Sequence, residues 1–246
     1  MPRAWRALLF AGLLLWPQNP QDSERSEFRF LRLEYKDAAY SRRGFGRGWW
    51  RQDWPEAELH FNQGIRRLTR VHTGEGHHLP LTDDRIFDFP WIYATQVGYW
   101  DLSDEETTRL RHYLERGGFL VVDDFFGPTE YELFRHTMTR VLPDQPIVAL
   151  DENEPIWQVL YDIRQRFFIA GLRHLGIGRG FGRQTPAGEP QWQAIRDAKG
   201  HIVVAINFNV DIGDAWEHAD LAEYPEPMTG LAYRLGINYI VYAMTH

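Results

Sequence analysis

Residues 117–128 constrain the fold more than any other stretch of the chain. Gly117-Gly118 precedes Phe119-Leu120-Val121-Val122-Asp123, an unbroken apolar run ending in acid, and Asp124 and Pro128 follow. A short apolar run without polar alternation suits a strand covered on both faces, as in a parallel sheet. The paired glycines are a stop signal for a helix before it. That helix has a start signal as well: Ser103-x-x-Glu106 is a capping box, and Leu110, Tyr113 and Leu114 recur on one face. Pro128 opens the next helix, with Tyr131, Phe134, Met138 and Val141 directed inward.

The same alternation extends in both directions. Phe28–Tyr35 (FRFLRLEY) alternates apolar and polar residues and predicts a strand. The glycine-, arginine- and tryptophan-rich residues from Asp37 to Asp53 predict a long loop over one end of the domain. Asp53 is placed to cap a helix opening at Pro55, along which Ala57, Phe61, Ile65 and Leu68 face the core. Trp91–Gln96 and Pro146–Leu150 read as short strands, and Pro155–Ile163 as a helical turn. Gln191–Arg196 and His201–Phe208, joined by Asp197-Ala198-Lys199-Gly200, predict a β-hairpin added towards the C-terminus. Residues 211–226 predict a polar, aromatic loop, and Pro227–Met244 a closing helix. Strands alternating with helices imply an α/β fold: a three-layer, mostly parallel sheet with helices on both faces.

Composition narrows the chemistry. The chain has no cysteine, which removes thiolate catalysis, zinc ribbons, iron–sulfur clusters and disulfides. Its net charge of −7 argues against a broad nucleic-acid footprint. Arg3 and Arg6 precede the apolar run Ala7–Trp16, which Pro17 closes. Ten residues are too few for a bilayer, which needs about 20. They fit a secretory signal peptide over residues 1–22, or else a buried core helix. The first alternative makes the protein exported, to the periplasm or the outside. No later stretch is long and apolar enough to anchor it.

Several strings together carry a resemblance to a family. They are Tyr35-x-x-x-x-Tyr40, Gly117–Asp124, Asn207-Phe208-Asn209, Gly213-Asp214-Ala215-Trp216-Glu217, and the ending from Ala232-Tyr233-Arg234-Leu235-Gly236 to His246. Over residues 28–246 the chain resembles the bacterial domain of unknown function 4159 (DUF4159). The resemblance implies a flavodoxin-like sheet similar to that of class I glutamine amidotransferases, in exported or membrane-tethered proteins. It assigns no catalytic residue. The amidotransferase nucleophile is a cysteine at the sharp turn after a strand, where this chain offers Asp124-Phe125-Phe126-Gly127.

Four constellations are candidates for function. Asp123 and Asp124 close a strand at the edge where open parallel sheets bind ligands. Asp211-x-x-Asp214-x-x-x-His218-x-Asp220, with Trp216 and Glu217 inside it, could line a ligand pocket, hold a divalent ion or serve as turns and caps. Its spacing matches no EF-hand or zincin, and no metal or other cofactor is assigned. His72, His77 and His78 suit a surface loop, or ligands and bases near neutral pH. The Arg/aromatic stretch brings Tyr40, Arg43, Arg47, Trp49 and Trp50, which could stack on sugar rings and clamp anions, or simply pack the loop. The glycine run Gly176–Gly182 lacks the strand and helix of a phosphate cradle and reads as a flap.

These residues favour an exported, non-catalytic binding or scaffold domain of the bacterial envelope. An acidic and aromatic cleft of Asp123, Asp124, Asp214, Trp216, Glu217, Tyr40, Arg43 and Arg47 would meet a glycan or peptide. The alternative is a carboxylate- or metal-dependent hydrolase acting on an envelope glycan or amide. A third expectation is a subunit that docks on a membrane complex through the aromatic loop.

Overall fold

A computed structural model of the chain describes residues 26–41, 48–177 and 188–246. The expected signal peptide at residues 1–22, Arg43, Arg47 and most of the Gly176–Gly182 run lie outside these residues.

One seven-stranded sheet runs through the domain: β1 (Leu31–Glu34), β2 (His77–Pro80), β3 (Trp91–Thr95), β4 (Phe119–Phe125), β5 (Val148–Ala149), β6 (Gln191–Arg196) and β7 (Ile202–Phe208). Their spatial order is β2-β1-β3-β4-β7-β6-β5. The first five strands in that order are mutually parallel, whereas β6 runs antiparallel to β7 and β5 antiparallel to β6. The order turns back between β1 and β3. The carboxyl ends of those two strands therefore flank the crevice in which sheets of this kind bind ligands.

Helices cover both faces. Phe61 and Ile65 of α1 (Glu56–Leu68), Trp216 of α5 (Ile212–Glu217) and Leu235 and Tyr239 of α6 (Glu226–Thr245) pack on Trp91, Tyr93, Phe119 and Val121. On the other side, Leu110 and Leu114 of α2 (Asp104–Glu115) and Phe134 and Met138 of α3 (Gly127–Val141) pack on Ile92, Leu120 and Val122. Successive side chains of β4 alternate between the two cores, which is why the strand has no polar face. The capping box at Ser103 forms with both its hydrogen bonds. A short helix, α4 (Leu172–Leu175), follows the irregular segment after β5. Among the described residues no helix is long and apolar enough to cross a membrane.

Four expectations are corrected. His77 and His78 lie in an edge strand rather than a surface loop, paired in parallel with β1, and His78 Nδ1 contacts the Glu34 carboxylate. Residues 212–217 form a buried helix instead of loop, because Ile212, Ala215 and Trp216 supply an apolar face. The hairpin forms but is no addition: β7 pairs in parallel with β4 and completes the central sheet. Leu68 is exposed at the C-terminal end of α1, leaving Ala57, Phe61 and Ile65 as its core residues.

Arg32 shows what double coverage costs. It sits in β1 with no exposed surface, and its Nε donates to Glu58 of α1, itself buried. Its Nη1 donates to the carbonyls of Trp50 at 3.2 Å and Gln52 at 2.7 Å, which fixes the segment leading into α1. The guanidinium also lies over the Tyr93 ring at 4.9 Å. Removing one member of a buried ion pair strands the other and costs about 3–5 kcal/mol. Glu58→Ala is therefore expected to lower the unfolding free energy by roughly that much in urea titration; a loss below about 1 kcal/mol would show that the pair is not sealed from water.

Candidate functional site

The carboxyl edge of the sheet is where the backbone departs from ordinary geometry. The four described non-glycine residues with positive φ are Asp53 (65°), Gln96 (53°), Asp124 (52°) and Asn209 (57°). Gln96, Asp124 and Asn209 stand at the ends of β3, β4 and β7; Asp53 precedes α1. Left-handed backbone costs an ordinary residue about 1–2 kcal/mol and clusters at functional sites. At Asp124 the cause is a register shift against β7 between Val122 and Phe125. The bulge turns the Asp124 N–H to the Val210 carbonyl at 3.0 Å. Asp123 and Asp124 then point into different surroundings.

Asp123 faces the α5 side and is fully buried. Its Oδ2 accepts from the N–H groups of Ile212 (2.7 Å) and Gly213 (3.1 Å) and from the Tyr93 hydroxyl (3.0 Å). Asp124 accepts from Arg173 Nη2 at 2.7 Å on one oxygen and from Gln96 Nε2 on the other. Asp211 precedes α5 and accepts from the Asp214 N–H at 2.9 Å, while Asp214 accepts from the Leu172 N–H at 2.7 Å. Asp53 reaches in from before α1, with Oδ1 accepting from Gln52 Nε2 at 2.7 Å and Oδ2 left without a donor among the described residues. Two glycines make room. A Cβ on Gly171 would collide with Asp211 Oδ2, and one on Gly213 would lie 2.7 Å from Asp53 Oδ2.

These carboxylates form a buried cup. Asp53, Asp124 and Asp211 each place an oxygen within 4.8 Å of the others'. Asp214 and Glu217 do the same with a nitrogen of His218, on the half-exposed side of the cup. The first set offers oxygen alone, as hard cations prefer; the second is mixed and would also suit zinc.

Burial dominates the electrostatics. It pushes the carboxyls of Asp53, Asp123 and Asp211 well above the usual range, and neighbouring acids push them further. Burial likewise raises Asp124, to about 7, although Arg173 pulls it down. Glu217 is raised by burial against the pull of His218. Each shift has the sign expected when anions lose water in one another's company.

An aromatic ledge adjoins the cup. The Trp49 and Tyr99 rings stack at 4.7 Å and 18°, and the half-exposed Tyr40 lies beside Tyr99 at 6.5 Å. Tyr99 donates to Glu130 at 2.6 Å, and Tyr40 to the Gly98 carbonyl at 2.6 Å. The Arg173 guanidinium spans the gap, paired with Asp124 and lying 4.8 Å from the centre of the Phe126 ring.

Of the residues expected from sequence, Asp123, Asp124, Asp214 and Glu217 come together, and Tyr40 stands on the ledge nearby. Trp216 does not join them. Its ring is fully buried and stacked on Phe61 at 4.1 Å, so it packs the core and offers no face to a ligand. His77 and His78 lie on the edge strand, His78 against the Trp50 and Trp54 rings, and neither belongs to the converging sets. Asp53, expected as a helix cap, makes no such bond and turns into the cup instead. Gln96, Tyr99, Arg173 and Arg32 had no motif to mark them.

The profile of the domain of unknown function 4159 (DUF4159) matches residues 29–244, and the chain belongs to that family. No curated protein matches it.

The raised carboxyl groups set a direction for stability. A carboxyl whose folded value exceeds its unfolded one binds its proton more tightly in the native state. Its contribution is complete below the unfolded value of 3.8 and disappears as pH rises through the folded value, about 7 for Asp124. In chelator, the melting temperature of the chain is expected to fall between about pH 5 and pH 8, and Asp124→Asn to flatten that slope. A melting temperature that climbs across this interval in both proteins would contradict the burial of un-neutralised acids.

Proposed function

We propose that the chain is an exported, non-catalytic binding domain of the bacterial envelope that recognises a glycan or peptide at the acid cup and its aromatic ledge. The observation that carries this is the meeting of Asp124, Arg173 and the Tyr40–Tyr99–Trp49 ledge on one edge of the sheet. Carboxylates accept hydrogen bonds from sugar hydroxyls and attract ammonium groups, and flat aromatic faces take the apolar side of a sugar ring. Arg173 would meet an acidic substituent in their place. Much of the acidic chemistry is already committed to holding backbone N–H groups, which favours a rigid receptor over a reacting centre.

The strand order supports a finer fold assignment. β2-β1-β3-β4, continued by parallel β7, follows the flavodoxin-like pattern expected of a class I glutamine amidotransferase relative. In this assignment Asp124 stands at the kind of strand-to-helix turn where those enzymes carry their cysteine. A carboxylate there can orient a ligand but cannot act as a thiolate. Export rests on the cationic and apolar N-terminus, and the acidic net charge speaks against nucleic acid as the partner.

Calorimetry of the chain against soluble cell-wall fragments and envelope polysaccharides tests the proposal. One class should bind, and Tyr40→Ala and Tyr99→Ala should each weaken it about tenfold at unchanged melting temperature. Silence from every envelope component would end it.

A second proposal, glycoside or amide hydrolysis, draws on one observation. Several carboxyl groups meet in one place, with oxygens within 4.8 Å of one another, and glycosidases work with a pair of such acids. Release of reducing ends or free amines by the wild-type chain, abolished in Asp124→Asn, would favour it; intact substrate after prolonged incubation would dismiss it.

A further inference from the structure

We infer that Asp53, Asp124 and Asp211 form a binding site for one hard divalent cation, calcium before magnesium, in the floor of the cup. This goes beyond the recognition of a glycan or peptide and does not depend on it.

The geometry comes first. Three carboxylates from three separate parts of the chain converge: the segment before α1, the end of β4 and the start of α5. Oxygens no more than 4.8 Å apart fit around one ion at the metal–oxygen distances of about 2.3–2.6 Å that calcium adopts. Magnesium, at about 2.0–2.1 Å, demands a tighter octahedron. All three donors are carboxylate oxygen, which suits a hard ion over zinc or copper.

A second observation points to something positive between them. Asp53 is only 7% exposed, yet among the described residues its Oδ2 meets no N–H or hydroxyl donor, and the side chain that reaches Asp53 besides Gln52 is the Glu217 carboxyl. Asp53 is not turned away from the cup: it belongs to the converging set, lies beside the missing Cβ of Gly213 and sits against Glu217. Two carboxyl groups in contact have no donor between them unless one keeps a proton. A buried anion without a partner is among the costliest groups a fold can hold. Among the described residues, the cationic side chains at hand do not supply the charge. Arg173 is half-exposed and directed to Asp124, and Arg32 is engaged by Glu58. A divalent ion would satisfy Asp53 and Asp211 together while Asp124 keeps its bond to Gln96. Asp214 lies beside these acids and could complete the oxygen shell.

The test is calorimetric titration of the chelator-stripped full chain with calcium, magnesium and manganese chlorides at matched ionic strength, with melting temperature measured in parallel. No glycan or peptide is present, so failure here leaves the proposed recognition standing, and failure of recognition leaves this site standing. Saturable binding with one ion per chain is expected, strongest for calcium, with a melting temperature that rises with ion concentration. Asp53→Asn and Asp211→Asn should each weaken binding about tenfold or more, since affinity follows the number of charged ligands. In chelator the same variants should melt no lower than wild type, because each removes a buried charge. A merely structural carboxylate would instead destabilise the apo chain when replaced. The exposed Asp144→Asn, between α3 and β5, should leave binding unchanged. No saturable binding of any of the three ions up to about 10 mM, beyond the range of weak extracellular calcium modules, would overturn the inference. So would binding that survives intact in both Asp53→Asn and Asp211→Asn.

Discussion

Carboxyl groups withdrawn from water in one another's company are the constraint around which the carboxyl edge of this sheet is arranged. Isolated, each would have to keep its proton or expose itself. Here Asp123, Asp214 and Asp124 are each held by donors drawn from a different element. Asp123 takes two N–H groups at the start of α5, Asp214 one at the start of α4, and Asp124 the side chains of Gln96 and Arg173. The hydrogen bonds that make burial tolerable also fasten α4 and α5 to the sheet. Arg32 acts one layer below, gripping the carbonyls of Trp50 and Gln52 and so setting where Asp53 enters. The left-handed backbone at Asp53, Gln96, Asp124 and Asn209 is the local cost of this convergence.

Much of the architecture was legible in the sequence because the relevant signals are local. The unbroken Phe119–Asp123 run, the Ser103 capping box and the turn between β6 and β7 each specify their element within a dozen residues. What failed was non-local. His77-His78-Leu79-Pro80 is polar and proline-ended, and it becomes a strand only because β1 offers it an edge. Pattern alone could not tell that β7 would lie beside β4, since a hairpin signal fixes one neighbour and not the other. Arg32 looked like the polar side of an alternating strand, and only coverage of both faces made it a buried ion pair.

The candidate site divides along the same line. Asp123 and Asp124 follow from the rule that strands of an open sheet bear their function at the carboxyl end. Asp214 and Glu217 follow from a distinctive acidic string. Trp216 was misjudged because a tryptophan among acids resembles a ligand surface, whereas its position on α5 directs the ring onto Phe61. Asp53 was misjudged because aspartate just before a helix is usually a cap. Arg173 and Gln96 carry no signal at all: their role exists only through their contacts with Asp124. Local pattern does not mark residues whose meaning lies wholly in a tertiary partner.

The central claim is that the cup holds more negative charge than its own side chains neutralise. Carbon-13 NMR of the aspartate carboxyl carbons, followed through a pH titration of the chelator-treated chain, measures this one residue at a time. At least one of Asp53, Asp123, Asp124 and Asp211 is predicted to titrate near or above pH 6, about two units beyond an ordinary aspartate. If all four titrate below about pH 4.5 like exposed aspartates, the carboxylates are solvated or fully compensated, and the cup is not the charged, buried centre described.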